Sequence, residues 1–270
     1  MERLTVLLPT LLVLSGFFWL IETRFTANPE QPPWLNRRGL RTYLTFWFFT
    51  PVVARTLGEI GMLAILLLIY RQAPADLLTM LGARDTLATR QSMLLQVIAV
   101  LVLGDFIGYW IHRCFHTKAL WKLHAVHHSS EQLDWLSAVR LHPVNGLLVR
   151  WIQITVLVLL GFNPLMLAVW APVLSFYAIF LHANVTWDFG PLRSVLASPR
   201  FHRWHHTSEE EGGGKNFASL LPVFDIVFGT WYMPPGRIPG KFGVSGKPIP
   251  EDFVGQLAYP FRRSPATEKA

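Results

Sequence analysis

The apolar residues of the chain are gathered into four long blocks that polar segments separate. The blocks cover residues 4–20, 43–70, 93–111 and 146–182. An α-helix rises about 1.5 Å per residue, so each block is close to or above the length that crosses the roughly 30 Å apolar layer of a bilayer. The pattern predicts an all-α integral membrane bundle of about four spanning or hairpin blocks, with a cytosolic helical cap.

Two of these blocks are interrupted. The block at 43–70 is broken by Pro51, Arg55 and Glu59. It is expected to form either one tilted span or a broken hairpin in the membrane plane, and the sequence leaves both open. The block at 146–182 is long enough to cross and return, and a turn is expected at its centre, where the chain has Gly161, Asn163 and Pro164.

The first block has two interpretations. Bulky residues follow it, in the segment WLIETRF, and no small-x-small cleavage site is present there. This favours a retained membrane anchor over a secretory signal.

Composition and charge agree with a membrane protein. Hydrophobic residues make up 51% of the chain and charged residues 15%. The net charge of +7 is spread over the segments between the blocks, without a dense basic run, which excludes a nucleic-acid-binding surface. If 43–70 is one span, the basic residues favour the cytosol for residues 21–42, 112–145 and the chain after 182, with 71–92 on the far side. The one cysteine, Cys114, excludes a disulfide framework.

Ten histidines are the chemistry-bearing feature of the sequence. All lie between residues 112 and 206, in a His-x-x-x-His pair, two His-x-x-His-His triplets and two single positions. Positions i, i+3 and i+4 share one helix face, so each triplet can direct three imidazoles to one point. Imidazole is the commonest metal ligand in proteins. The eight histidines of the pair and triplets exceed the needs of one ion, so two metals are expected.

The helix that carries the first motif has a polar stripe of Asp105, Tyr109, His112 and His116. Cys114 falls on its opposite side. An acidic residue on a membrane helix needs a buried partner, so Asp105 is expected to accept the free ring N–H of a ligating histidine.

Helix geometry predicts where the histidines lie. From Met93 to His112 a helix covers about 28 Å, which places His112 at a membrane boundary. If 146–182 is a hairpin, His142 and His182 emerge at the same boundary, and no spanning segment follows. All ten histidines are therefore expected at one membrane face.

Several segments resemble the fatty acid hydroxylase/sterol desaturase superfamily of membrane oxygenases. They are DFIGYWIHRCFH, WKLHAVHHSS, RLHPVN, FLHANV, SPRFHRWHH and NFASLLPVFDIVFGTWY. The likeness covers about residues 93–235, the histidine-motif domain. Residues 1–92 are then N-terminal membrane helices, and 236–270 a C-terminal cytosolic tail.

The resemblance implies two iron ions, with dioxygen as co-substrate, at the cytosolic face. The implied metal ligands are His112, His116, His124, His127, His128, His142, His182, His202, His205 and His206. The expected hydrogen-bond partners around them are Asp105, Tyr109, Asn184 and Asp188. Two departures from the family pattern, Asn145 after the His-Pro pair and the sequence Asn-Phe-Ala at 216–218, bear on the substrate and on these partners.

The expected activity is hydroxylation of a lipid C–H bond, in a fatty acyl, sterol or related substrate. Desaturation by the same centre is the alternative. A metal-ion transporter is a second class, against which the clustering at one face argues, because transport sites lie near the bilayer midplane. A catalytically silent scaffold is a third class, and the full set of histidines argues against it.

The membrane is expected to be a bacterial inner membrane or the endoplasmic reticulum. Electrons must come from a separate carrier (cytochrome b-type, ferredoxin or reductase), since the chain has no Rossmann or haem motif. Four basic residues could form a docking surface for an acidic carrier, or simply face solvent or lipid headgroups: Lys122, Arg193, Arg200 and Arg203.

Overall fold

The computed structural model describes residues 2–208, 213–246 and 249–262, and these fold into helices and connecting segments. The helices are α1 Glu2–Arg24, α2 Leu40–Phe49, α3 Arg55–Tyr70, α4 Pro74–Gly82, α5 Met93–Phe115, α6 Trp121–His128, α7 Pro143–Leu159, α8 Pro164–Leu181, α9 Pro199–His205, α10 Val223–Val227 and α11 Phe253–Ala258. Over the described residues, extended pairing is limited to two isolated bridges, Thr26 with Val185 and Thr207 with Phe242. The all-α prediction is confirmed.

Four helical stretches in the described chain are long and apolar enough to cross a membrane. They are Thr5–Arg24, Leu40–Tyr70, Met93–Phe115 and Pro164–Leu181. Helix α7 is a shorter apolar helix that packs against α3 and α5. The chain is an integral membrane protein.

The interrupted second block forms one continuous helical stretch. Helices α2 and α3 are joined by a π-helical turn, Thr50–Ala54, which contains Pro51. Proline removes a backbone donor, and a π-turn is a common way for a helix to accommodate such a local defect. Of the two alternatives that the sequence left open, the structure has the single span.

The third and fourth blocks meet at one end of the molecule. Helices α7 and α8 form the expected hairpin, with Gly161 at φ 99° and the side chain of Asn163 capping α8 through the Leu165 N–H at 2.9 Å. From the segment before α5, Arg84 donates to the carbonyls of Val158 at 2.8 Å and Phe162 at 3.2 Å. These contacts hold the hairpin turn against the segment that was predicted to lie on the far side.

The opposite end of the molecule holds the histidines. His142 precedes α7 and His182 follows α8, so both single histidines emerge at the end where α5 finishes, as predicted. Helix α1 packs against this end, where the rings of Phe18 and Trp135 stack at 5.2 Å. The predicted boundaries at 92/93 and 235/236 stay predictions, and residues 247, 248 and 263–270 of the proposed tail lie outside the described residues.

Candidate metal centre

Nine of the ten histidines come together in two adjacent groups. Five ring nitrogens converge in the first group, formed by His112, His116, His124, His128 and His205, and four in the second, formed by His127, His182, His202 and His206. Within each group the candidate ligand atoms lie within 4.8 Å of one another. Both groups combine residues from several helices, so the site exists only in the folded chain.

The first group joins the end of α5 to helices α6 and α9. His124 Nε2 lies 3.0 Å from His112 Nε2 and 3.1 Å from His128 Nε2. The His205 ring approaches the His112 ring to 4.3 Å between centroids. Positions four apart therefore share this group, His112 with His116 and His124 with His128. His127 of the same triplet lies outside it, so the expectation that a whole triplet meets at one point is corrected.

The second group joins the end of α8 to the same two helices. His182 Nε2 lies 3.2 Å from His127 Nε2 and 3.2 Å from His202 Nε2, and His202 Nε2 lies 3.1 Å from His206 Nε2. The two groups touch where the rings of His128 and His206 stack at 4.4 Å. Neighbouring positions in each triplet thus serve different groups, and the result is two adjoining sites.

The spacing of the nitrogens fits bound metal ions. A first-row metal ion lies about 2.1 Å from a ligating imidazole nitrogen, so two ligands at a right angle stand about 3.0 Å apart. Five Nε2 pairs within the two groups are separated by 3.0 to 3.2 Å. In addition, the Nε2 atoms of His116 and His205 are buried without a hydrogen-bond partner. Such orphaned acceptors are costly unless an ion occupies the space between them.

In five of the nine rings the other nitrogen, Nδ1, is held by an acceptor, which fixes the tautomer. The Nδ1 atoms of His202 and His206 are buried without a hydrogen-bond partner. Nδ1 of His112 donates to the carbonyl of Phe217 at 2.7 Å, and Nδ1 of His124 donates to Oδ1 of Asn145 at 2.8 Å. Three more rings donate through Nδ1 to backbone carbonyls: His127, His182 and His205. A proton held on Nδ1 leaves the Nε2 lone pair free for a metal.

Burial keeps these imidazoles neutral. Loss of solvent, reinforced by the neighbouring rings, lowers the pKa well below its usual range for His124, His127, His128, His202, His205 and His206. Neutral imidazole is the form that binds metal. Among the described residues, no carboxylate or thiol joins either group, so the donor set is imidazole throughout.

His142 is the histidine that the structure leaves out. Its Nδ1 accepts the Val144 N–H at 3.3 Å and caps α7, while its Nε2 donates to the Leu257 carbonyl at 3.1 Å. Both ring nitrogens are therefore used within the protein, and the prediction of a ligand here is wrong. The His-Pro pair is a helix-start signal, because proline is favoured in the first turn.

The four expected hydrogen-bond partners also lie elsewhere. Asp105 accepts backbone N–H groups of residues 219–221 and no ring N–H. The Tyr109 hydroxyl pairs with that of Thr230 at 2.9 Å, and Asp188 accepts from Gly190 and Arg200. The Asn184 side chain bonds Thr26 and Asn28. The prediction that these side chains hold the ligands is corrected, since backbone carbonyls and Asn145 do so.

Two ionisable residues near the site, the partly buried Glu22 and the buried Arg203, have contacts that the sequence did not predict. Glu22, on α1, accepts the N–H of Trp135 at 3.2 Å and of Asn184 at 2.9 Å. Arg203, on α9, is fully buried and donates to the Leu133 carbonyl at 2.6 Å. Arg203 therefore cannot belong to the proposed docking surface. The signal for Glu22 was its position in an apolar helix, where an acid needs a buried partner.

Comparison with known proteins identifies the class to which this site belongs. Residues 97–230 match the family model described as fatty acid hydroxylase, and they include all nine clustered histidines. The chain therefore belongs to the fatty acid hydroxylase family, within the superfamily that its motifs resemble.

Three similar proteins carry names that concern lipids. The chain is 35% identical to the ornithine lipid hydroxylase OlsE of Rhizobium tropici over 63% of its own length and 52% of the relative's. It is 37% identical to the alkylglycerol monooxygenase of Danio rerio over 48% and 29% of the two lengths. With the very-long-chain aldehyde decarbonylase GL1-11 of Oryza sativa subsp. indica it shares 31% identity over 50% and 52%. The chain thus spans about half the length of these relatives or less. No solved structure matches it.

Proposed function

We propose that the chain is a membrane-bound oxidoreductase that uses dioxygen to hydroxylate a C–H bond of a lipid. The observation that carries the proposal is the pair of adjoining imidazole groups, five and four histidines, at one end of the membrane helices. The family membership and the names of the relatives support an oxygenase that acts on lipids. The desaturase remains a variant of the same proposal, distinguished by its product.

The nine clustered histidines would hold two iron ions, one in each group. Bound iron in an imidazole site supplies the means to activate dioxygen for attack on an unactivated C–H bond. The Nδ1 hydrogen bonds of five of these histidines leave their Nε2 lone pairs free for the metal, and burial of the site excludes water. Hydrolysis is the less suitable reaction, because the described residues of both groups offer no carboxylate as general base.

The overall reaction requires a lipid and a source of electrons. Hydroxylation places one oxygen atom of dioxygen in the C–H bond and reduces the other to water, which takes two electrons and two protons. We propose that a separate redox protein delivers the electrons. We place the histidine end on the cytosolic face, as the distribution of basic residues favours. Its position at the membrane boundary would let a substrate reach the site from the bilayer without leaving lipid.

The test is product formation from labelled dioxygen. The protein, purified without oxygen and reconstituted in vesicles of its host's lipids, receives a chemical reductant and isotopically labelled dioxygen. We expect a lipid that gains one labelled oxygen atom, and loss of this product in His127→Ala. His142→Gln is the matched control, because that buried histidine lies outside both groups. A product that lacks two hydrogens would instead identify a desaturase, and no oxygen-dependent product would refute the proposal.

A further inference from the structure

The segment that follows the last histidine motif, residues 217–231, lies beside α5 rather than beyond its end. Asp105 of α5 accepts N–H groups of Ser219 and Leu220 at 3.0 Å and of Leu221 at 2.7 Å. The ring of Phe224 lies 5.4 Å from Phe106 between centroids. The segment therefore returns along the helix, away from the histidine end.

The depth of Asp105 can be read from the helix. It lies 12 residues after Met93, at which α5 begins, or about 18 Å along the axis. The exposed ion pair of Asp85 and Arg90 precedes α5 and marks the aqueous side at that end. In an apolar layer of roughly 30 Å, about 12 Å remain between Asp105 and the other boundary. The peptide groups bound by Asp105 share this depth.

The composition of the segment is that of a membrane-embedded stretch. Residues 217–231 contain one charged residue, Asp225, which is buried. The outward face of α10 consists of Val223, Ile226 and Val227, exposed by 42%, 47% and 67%. This face continues the lipid-facing stripe of α5, whose exposed members recur every four residues: Leu94, Ile98, Val102, Phe106 and Trp110.

The backbone of the segment is satisfied from within the protein. Five consecutive N–H groups, those of residues 217–221, donate to carboxylates, the first two to Asp225 at 2.7 and 2.8 Å and the other three to Asp105. The Leu220 carbonyl accepts the Ala197 N–H at 2.8 Å. Irregular backbone survives in hydrocarbon only when the protein supplies its hydrogen-bond partners, as it does here.

We infer that residues 217–231 form a re-entrant loop inserted into the hydrocarbon of the bilayer, with the α10 face in contact with lipid chains. The loop begins and ends on the histidine side and does not cross. Its first residue also reaches the metal centre, since the Phe217 carbonyl holds His112 and the Phe217 ring lies 5.0 Å from His116. The inserted loop thereby ties the ligand geometry to the bilayer. The inference does not depend on which reaction the site performs.

The experiment reports the surroundings of α10 directly. Cys114 is the only cysteine of the chain, so Cys114→Ser provides a background for single labelling sites. A bimane label is attached in turn at Val227→Cys, at Val223→Cys, at Val102→Cys on the lipid-facing stripe and at Lys118→Cys in the exposed turn after α5. Each full-length variant is reconstituted in phosphatidylcholine vesicles. Emission is quenched by lipids that carry a nitroxide near their carbonyls, or by aqueous iodide.

We expect the labels at 223 and 227 to emit at shorter wavelength than that at 118, and to be quenched by nitroxide lipids as strongly as that at 102. Iodide quenching is expected to be several-fold weaker than at 118. Quenching by iodide as strong as at 118 would overturn the inference and place the loop in water. A label shielded from both quenchers would also overturn it, because another protein surface would then cover α10.

Discussion

At the residue scale, the tautomers of five clustered histidines depend on hydrogen bonds from Nδ1. Four of these bonds go to backbone carbonyls, and the fifth goes to the side chain of Asn145. Its Oδ1 accepts the His124 Nδ1 proton, and it is buried at 3% exposure. Asn145→Leu removes the acceptor, and a lost outer partner costs about 10–100-fold in metal affinity. We expect that loss in a competition with a metal chelator.

Two further variants make the Asn145 test specific. Asn145→Asp keeps an acceptor oxygen at the same place and is expected to retain metal. Asp188→Asn alters a carboxylate that contacts Gly190 and Arg200 and no histidine, so its affinity should equal that of the wild type. Equal affinity in Asn145→Leu would show that the tautomer is fixed by other means.

Adjacent arginines give a prediction about stability. Arg37 pairs with Asp134 at 2.6 Å, with side chains exposed by 1% and 7%, whereas Arg38 pairs with Glu251 at 2.7 Å, exposed by 75% and 52%. Arg37→Met leaves a buried carboxylate without its partner, which costs about 3–5 kcal/mol. Arg38→Met breaks a solvated pair that contributes about 0–1 kcal/mol. Denaturant unfolding in detergent micelles measures both free energies, and similar losses would contradict the account.

The sequence predicted nine histidines that the structure clusters, because helical spacing alone decides which side chains share a face. It failed for the residues that hold them. The partner of Asp105 is a loop more than one hundred positions away, and the acceptors for His112 and His127 are backbone carbonyls that no side-chain pattern reveals. The prediction that His142 is a ligand failed for a local reason, because His142 caps α7, the helix that Pro143 begins.

At the scale of elements, α3 and α7 pack closely because Gly61 has no side chain. A Cβ at that position would collide with the ring of Trp151, whose Nε1 donates to the Gly58 carbonyl at 2.9 Å. Gly61→Val therefore forces the two helices apart, and overpacking of this kind costs about 1–3 kcal/mol.

Gly16 is the matched control for the Gly61 test. Gly16 lies on α1, and a Cβ there would meet no atom within 4 Å. Gly16→Ala is therefore expected to leave the free energy of unfolding unchanged or raise it by up to about 1 kcal/mol. Thermal unfolding in micelles should separate the two variants clearly. A Gly61→Val protein as stable as the wild type would show that this packing does not limit the fold.

Hydropathy predicted the spanning elements well, because long apolar blocks have few alternatives in a bilayer. The hairpin turn at Gly161 also followed from the breakers in its sequence. The π-turn around Pro51 could not be chosen in advance, since its stability depends on tertiary contacts of α2 and α3 with neighbouring helices. Hydropathy likewise did not indicate the inferred re-entrant loop at 217–231, because its apolar residues do not form a block long enough to span a membrane.

At the scale of the whole molecule, the fold brings the ends of α5 and α8 and the short helices α6 and α9 to one face. Topology alone placed the histidines there, and tertiary packing divided them into two groups. Helix α1 is part of this arrangement, because Glu22 holds the backbone beside His182 through the Asn184 N–H. Helix α1 thus supports the backbone next to the candidate metal centre.

If each histidine group holds its own iron ion, the number of metal ions bound per chain reveals it. Protein purified without oxygen from iron-supplied cells is analysed for bound metals, beside His128→Ala from the first group, His202→Ala from the second, and His142→Gln. We expect about two iron ions per chain in the wild type and in His142→Gln, and a loss of about one in each of the other variants. A single ion in the wild type, or an undiminished count in both group variants, would contradict it.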